Sequence, residues 1–93
     1  MNATETHTIR VFWYEELRSN VCKLAGVYVG SLRAAVIRQE VDVETLQWGQ
    51  PTVTVLQTER VTPEFARAYA AALTRAVEIA EAWGRGERAE GEV

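Results

Sequence analysis

Residues 35–45 read AVIRQEVDVET, and the fold turns on whether this run is a strand or a helix. As a strand it alternates: Ile37, Val41 and Val43 share one face while Arg38, Glu40, Asp42 and Glu44 share the other, the pattern of a sheet with one solvated side. As a helix, Ser31 would cap a segment from Leu32 that sets Ala35, Val36, Gln39, Val43 and Leu46 at helical spacing. The alternating charges favour the strand, with the helix as the competing assignment. The run from Thr52 to Leu56 also alternates, Val53 and Val55 opposing Thr52 and Thr54, and is rich in β-branched residues. Between the two, Gly49 and Pro51 mark a turn. Residues 35–58 are therefore expected to form an antiparallel hairpin whose inner face holds Ile37, Val41, Val43, Val53 and Val55.

Upstream, Thr8 to Tyr14 and Val21 to Val29 are both β-prone and are separated by a polar loop ending in Arg18-Ser19-Asn20, which predicts a second hairpin. Here neither face is polar. Ile9, Val11 and Trp13 oppose Phe12 and Tyr14, and Val27 and Val29 oppose Leu24 and Tyr28, so a single covering layer leaves one apolar face open. Trp13 aligns with the more continuous aliphatic set and is assigned to the core. Gly26 and Gly30 interrupt the second arm, as a bulge or as the corner into the next strand.

Downstream, Thr62 reads as a helix N-cap, Pro63 as the first helical residue and Glu64 as a carboxylate at the positive end of the dipole. The helix is expected to run to about Trp83 and to stop at Gly84 in a left-handed cap. At about 100° per residue, Ala66, Tyr69, Leu73, Ala76, Val77 and Ala80 form one stripe, with Phe65, Ala72, Ile79 and Trp83 along its flank. Glu64, Arg67, Thr74, Arg75, Glu78 and Glu81 lie opposite. The order β-β-β-β-α predicts an α+β fold: a four-stranded antiparallel meander sheet covered on one face by a long C-terminal helix.

The segment PTVTVLQ, followed by VTPEFARAYAAALTRAVEIAEAW, resembles small uncharacterised domains of actinobacteria and their phages, in which a short hairpin precedes a TP-E-A-R helix. The likeness covers about residues 35–83 and is carried by Thr62, Pro63, Glu64, Ala66, Arg67, Ala70, Leu73 and Ala76, with Phe65 and Tyr69 departing from the pattern. It implies the fold and an origin in that group, and brings no catalytic residue with it.

Composition sets the remaining bounds. The 93 residues, 47% hydrophobic and 25% charged, suit one globular domain. The polar residues 1–7 and the Gly- and Glu-rich residues 84–93 are expected to be disordered tails around a domain spanning 8–83. So small a domain, with a single cysteine and no metal-ligand spacing, gains most from pairing with another copy, which raises the expectation of a homodimer. No basic leader with an apolar core opens the chain, and no apolar run reaches the roughly 18 residues of a membrane span, so a cytoplasmic location without membrane contact is expected.

Net charge is −3, which argues against nucleic acid as a partner. The charge is uneven, however: residues 1–40 carry five basic and four acidic side chains, whereas the remainder carries five arginines and nine acids. An anionic partner would meet the N-terminal half.

Chemistry is sparse. His7 and Cys22 lie fifteen residues apart without CxxC or HxxxH spacing, and no glycine-rich phosphate loop is present. Cys22 reads as a small buried hydrophobe, and Glu15, Glu16, Glu40, Asp42 and Glu44 as solvated carboxylates rather than acid–base groups. No catalytic residue, cofactor or metal ion is expected. The expectation is a non-enzymatic protein-interaction or regulatory module that self-associates, in the setting of a phage or accessory protein that modulates a host protein. Its interface residues would be Arg10, Phe12, Tyr14, Leu24, Tyr28 and, as an anchor from the turn, Trp48. The alternative is a small nucleic-acid-associated regulator using Arg10, Arg18, Lys23 and Arg33 around Phe12 and Tyr14.

Overall fold

The computed structural model describes residues 7–14, 21–56 and 59–92. Four strands, β1 (Ile9–Trp13), β2 (Cys22–Val29), β3 (Leu32–Glu40) and β4 (Thr52–Val55), precede one helix, α1 (Pro63–Gly84). The strands pair antiparallel in the order β1-β2-β3-β4, a meander, and α1 packs across one face of the sheet. The α+β architecture expected from the sequence is the one found.

Residues 35–40 are strand, and β3 begins earlier than expected, at Leu32. Gly30 with φ +58° and Ser31 form the tight corner from β2, a backbone that glycine adopts without a Cβ clash. The pairing of β2 with β3 has one irregularity. Val27 pairs with Ala35 but Tyr28 pairs with Arg33, so Ala34 is an extra residue, a β-bulge. Ala34 and Ala35 are both fully buried, and the bulge reverses the facing of the strand on its N-terminal side.

The far end of the expected hairpin differs from its reading. Val41 lies past the end of β3, in an isolated bridge to Trp48 with its N–H on the Val21 carbonyl at 2.9 Å, and Val43 is 87% exposed rather than inside. The cause is Asp42, whose Oδ1 accepts the backbone N–H groups of Glu44 (2.7 Å) and Thr45 (3.2 Å), an Asx turn that ends the strand. Val55 pairs with Ala35 on the inner side yet is 54% exposed, because β4 is an edge strand at the margin of the helix's cover.

The helix starts as its sequence indicates: the Thr62 hydroxyl accepts the Phe65 N–H at 3.2 Å and Pro63 opens the first turn. Its buried side is rotated from the expected stripe. Ala72, Ala76, Ile79, Ala82 and Trp83 are buried, whereas Ala66 and Val77 are exposed. The flank, which holds the larger Ile79 and Trp83, is the true contact line. Alanines along that line let α1 approach β2 and β3 closely, and Tyr69 fixes its position by donating to the Leu56 and Ala34 carbonyls.

The helix also stops later than expected. Gly84 is still helical, and Gly86, at φ +74°, takes the left-handed position; its N–H bonds to the Trp83 carbonyl at 3.0 Å and that of Glu87 to the Ala82 carbonyl at 2.9 Å, a Schellman cap. Residues 84–92, expected as a disordered tail, fold back onto the helix end: Ala89 is buried, and a Glu92 carboxylate oxygen accepts from the Trp83 indole and the Ala89 N–H, each at 2.9 Å. Of the expected tail at residues 1–7, residues 1–6 lie outside the described residues, and the His7 ring lies edge-on to Phe65 at 5.8 Å.

Candidate functional site

Because side chains alternate along each strand, the register assigns every residue to one of two sheet faces. The covered face holds Ile9, Val11 and Trp13 of β1, Ala25, Val27 and Val29 of β2, and Ile37 and Gln39 of β3, beneath α1. The other face carries no described element, and its residues fall into rows across the strands. One row is Arg10, Tyr28, Arg33; the next is Phe12, Gly26, Val36, Thr54; the third is Tyr14, Leu24, Arg38, Thr52. Cys22, half-buried, and Glu40 close the far end.

The sequence prediction thus brings Arg10, Phe12, Tyr14, Leu24 and Tyr28 together on one face. Trp48 is the exception. It stands on the helix side, where the Lys23 ammonium lies 4.8 Å from its ring centroid and 5.7 Å from that of Trp83. Lys23 therefore leaves the basic surface in which the nucleic-acid alternative placed it, and Arg18, Glu15 and Glu16 lie outside the described residues. Val36 and Gly26 are the additions, and Arg33, which the nucleic-acid alternative set around Phe12 and Tyr14, does share their face. Without the Ala34 bulge, Arg33 would share the parity of Ala35 and Ile37 and point toward the helix; with it, Arg33 stands opposite Tyr28.

Geometry at this face is specific. The hydroxyls of Tyr14 and Tyr28 are 3.0 Å apart, the Arg10 guanidinium sits 5.2 Å from the Tyr28 ring centroid, and the Phe12 and Tyr14 rings meet edge-on at 4.8 Å. The two tyrosines converge over Gly26, where a Cβ would lie 3.2–3.3 Å from their ring and hydroxyl atoms. The hydrogen bond between them holds Tyr14 below the ordinary phenol value, assisted by Arg33, and the same bond raises Tyr28. Arg33 is raised in turn by the Tyr14 hydroxyl.

Arg38 pairs with Glu40 at the opposite end, so among the described residues this face sets three arginines against one carboxylate, in a chain whose net charge is −3. Phe12 is 48% exposed at its centre. Among the described residues, no group of three His, Cys, Asp or Glu is placed to hold a metal ion, and no helix is long and apolar enough to cross a membrane. Glu40, Asp42 and Glu44 are exposed, as expected of solvated carboxylates. No protein-family model matches the chain, and no curated protein or solved structure matches it either.

Proposed function

We propose that this chain is a non-enzymatic protein-interaction module that self-associates through the open face of its sheet, and that it acts as a regulator in the manner of a phage or accessory protein bound to a host protein. The observation that carries the proposal is the apolar row of Phe12, Gly26 and Val36 between two arginine-bearing rows, with Leu24 beside it in the second, an apolar centre with a charged rim and no described element above it.

A second copy is the favoured occupant because the core is thin. Among the described residues, seven of the twelve buried hydrophobic ones are alanines, and the largest fully buried side chains are only Ile37, Ile79, Val27 and Val29. Each buried alanine withdraws little apolar surface from water, so a face-to-face pair, with its second apolar layer, adds stability that one helix does not supply. Phe12 is central and exposed, so it can be changed without disturbing the covered core.

Sedimentation velocity of the wild type and of Phe12→Glu tests this. The expected result is a dimer for wild type and a monomer for the variant, with the same far-ultraviolet circular dichroism. A wild type that stays monomeric at hundreds of micromolar would overturn the proposal.

A further inference from the structure

We infer that the corner of the open face formed by Arg10, Arg33, Tyr14 and Tyr28 is a binding site for a phosphate monoester dianion. This goes beyond self-association, since the site is complete within one chain. The register places Arg10, Tyr28 and Arg33 in a single row, so two guanidinium groups flank one phenol across three adjacent strands. The Arg10 guanidinium lies 5.2 Å from the Tyr28 ring centroid, and the Tyr28 hydroxyl lies 3.0 Å from that of Tyr14. Arg33 stands opposite Tyr28 in the register of β2 and β3. The two arginines and the two hydroxyls therefore share one corner of the face.

The proton count of the hydroxyl pair gives the site its direction. One of the two hydroxyls donates to the other, so the second keeps its own O–H for an oxygen of a ligand. Gly26 makes the arrangement possible, because any side chain there would press on the rings that bring the hydroxyls together. Among the described residues, the carboxylate of this face is Glu40, which lies at the other end and is paired with Arg38.

Charge and donor number select the ligand. A phosphate monoester carries about −1.5 to −2 charges and three acceptor oxygens, which match two planar guanidinium forks and a hydroxyl; a carboxylate offers two oxygens and one charge. A nucleic-acid strand is a poorer fit, because tracking a backbone requires cations spaced along the face. The row next to the cluster is Phe12, Gly26, Val36 and Thr54, without a charge, and the next arginine is already paired.

The test uses the full chain, with inorganic phosphate and phenyl phosphate as probes at constant ionic strength, read by the arginine Nε–H resonances. Saturable shifts are expected at Arg10 and Arg33, with affinity at least tenfold weaker in Arg33→Gln and unchanged in Arg38→Gln. Arg33 is exposed, so amide resonances of the helix should match wild type in the variant and report that the fold is intact. Shifts that do not saturate, or an Arg33→Gln variant that binds as well as wild type, would overturn the site. So would retention of oligothymidylate that depends on Arg38 as strongly as on Arg33, since that describes a tracking surface. Sedimentation of the same samples separates this outcome from self-association, because phosphate binding by a monomer leaves the site standing and removes only the dimer.

Discussion

The hydrogen bond between the Tyr14 and Tyr28 hydroxyls gives the open face a signature that can be measured one group at a time. Tyr14 is held below the ordinary phenol value of 10.0, first by the hydrogen bond with Tyr28, and Tyr28 is raised above it by the same bond. The signs are opposite. The stability contributed by Tyr14 builds as pH rises through its lowered value and is complete above the ordinary one, whereas that contributed by Tyr28 is present below the ordinary value and is lost as pH rises through its raised value. Ultraviolet titration should therefore show the Tyr14 step ahead of the Tyr28 step, and Tyr28→Phe should move the Tyr14 step upward by removing its partner. An unchanged Tyr14 step in that variant would mean that the pair is not formed. At this scale the legibility of the sequence depends on strand parity. Alternation alone separates Phe12 and Tyr14 from Trp13, but the facing of Arg33 depends on the Ala34 bulge, and an alanine among alanines carries no local mark of one.

At the level of elements, the end of α1 offers a paired comparison. Gly84 is helical, and a Cβ there would lie 3.7 Å from Pro51, an ordinary contact, whereas Gly86 holds φ +74° in the Schellman cap. Gly84→Ala should raise stability by up to about 1 kcal/mol through helix propensity, and Gly86→Ala should lower it by about 1–2 kcal/mol through left-handed strain. Chemical denaturation of the two variants checks this, and the opposite order would place the cap at Gly84. The start of the helix was legible because Thr62, Pro63 and Glu64 act locally, within one turn. Its end and its buried side were not. Two glycines stand close together, and the choice between them is made by the Trp83, Ala89 and Glu92 contacts that fold the chain back. The rotation of the apolar stripe has a similar origin, since with alanine on most sides of the helix the position of Ile79 and Trp83, not the count of apolar residues, decides which side is buried.

For the whole molecule, the order β-β-β-β-α was legible because each element carries its own period, and among the described residues one helix on four strands leaves a sheet face without cover. The aromatic hairpin, expected to run short of covering material, presents that face, with Phe12, Leu24 and Val36 at its centre and the arginines around them. The place of Trp48 was not legible, because it is set by the Asx turn at Asp42 and by Lys23 on the helix side. On the proposed function, this face, and no other, joins two copies. The most direct measurement is an isotope-filtered nuclear Overhauser experiment on a mixed sample of labelled and unlabelled chain. Contacts between copies are predicted from Phe12, Leu24 and Val36; contacts between copies from Val55 and Val77, with none from Phe12, would contradict it.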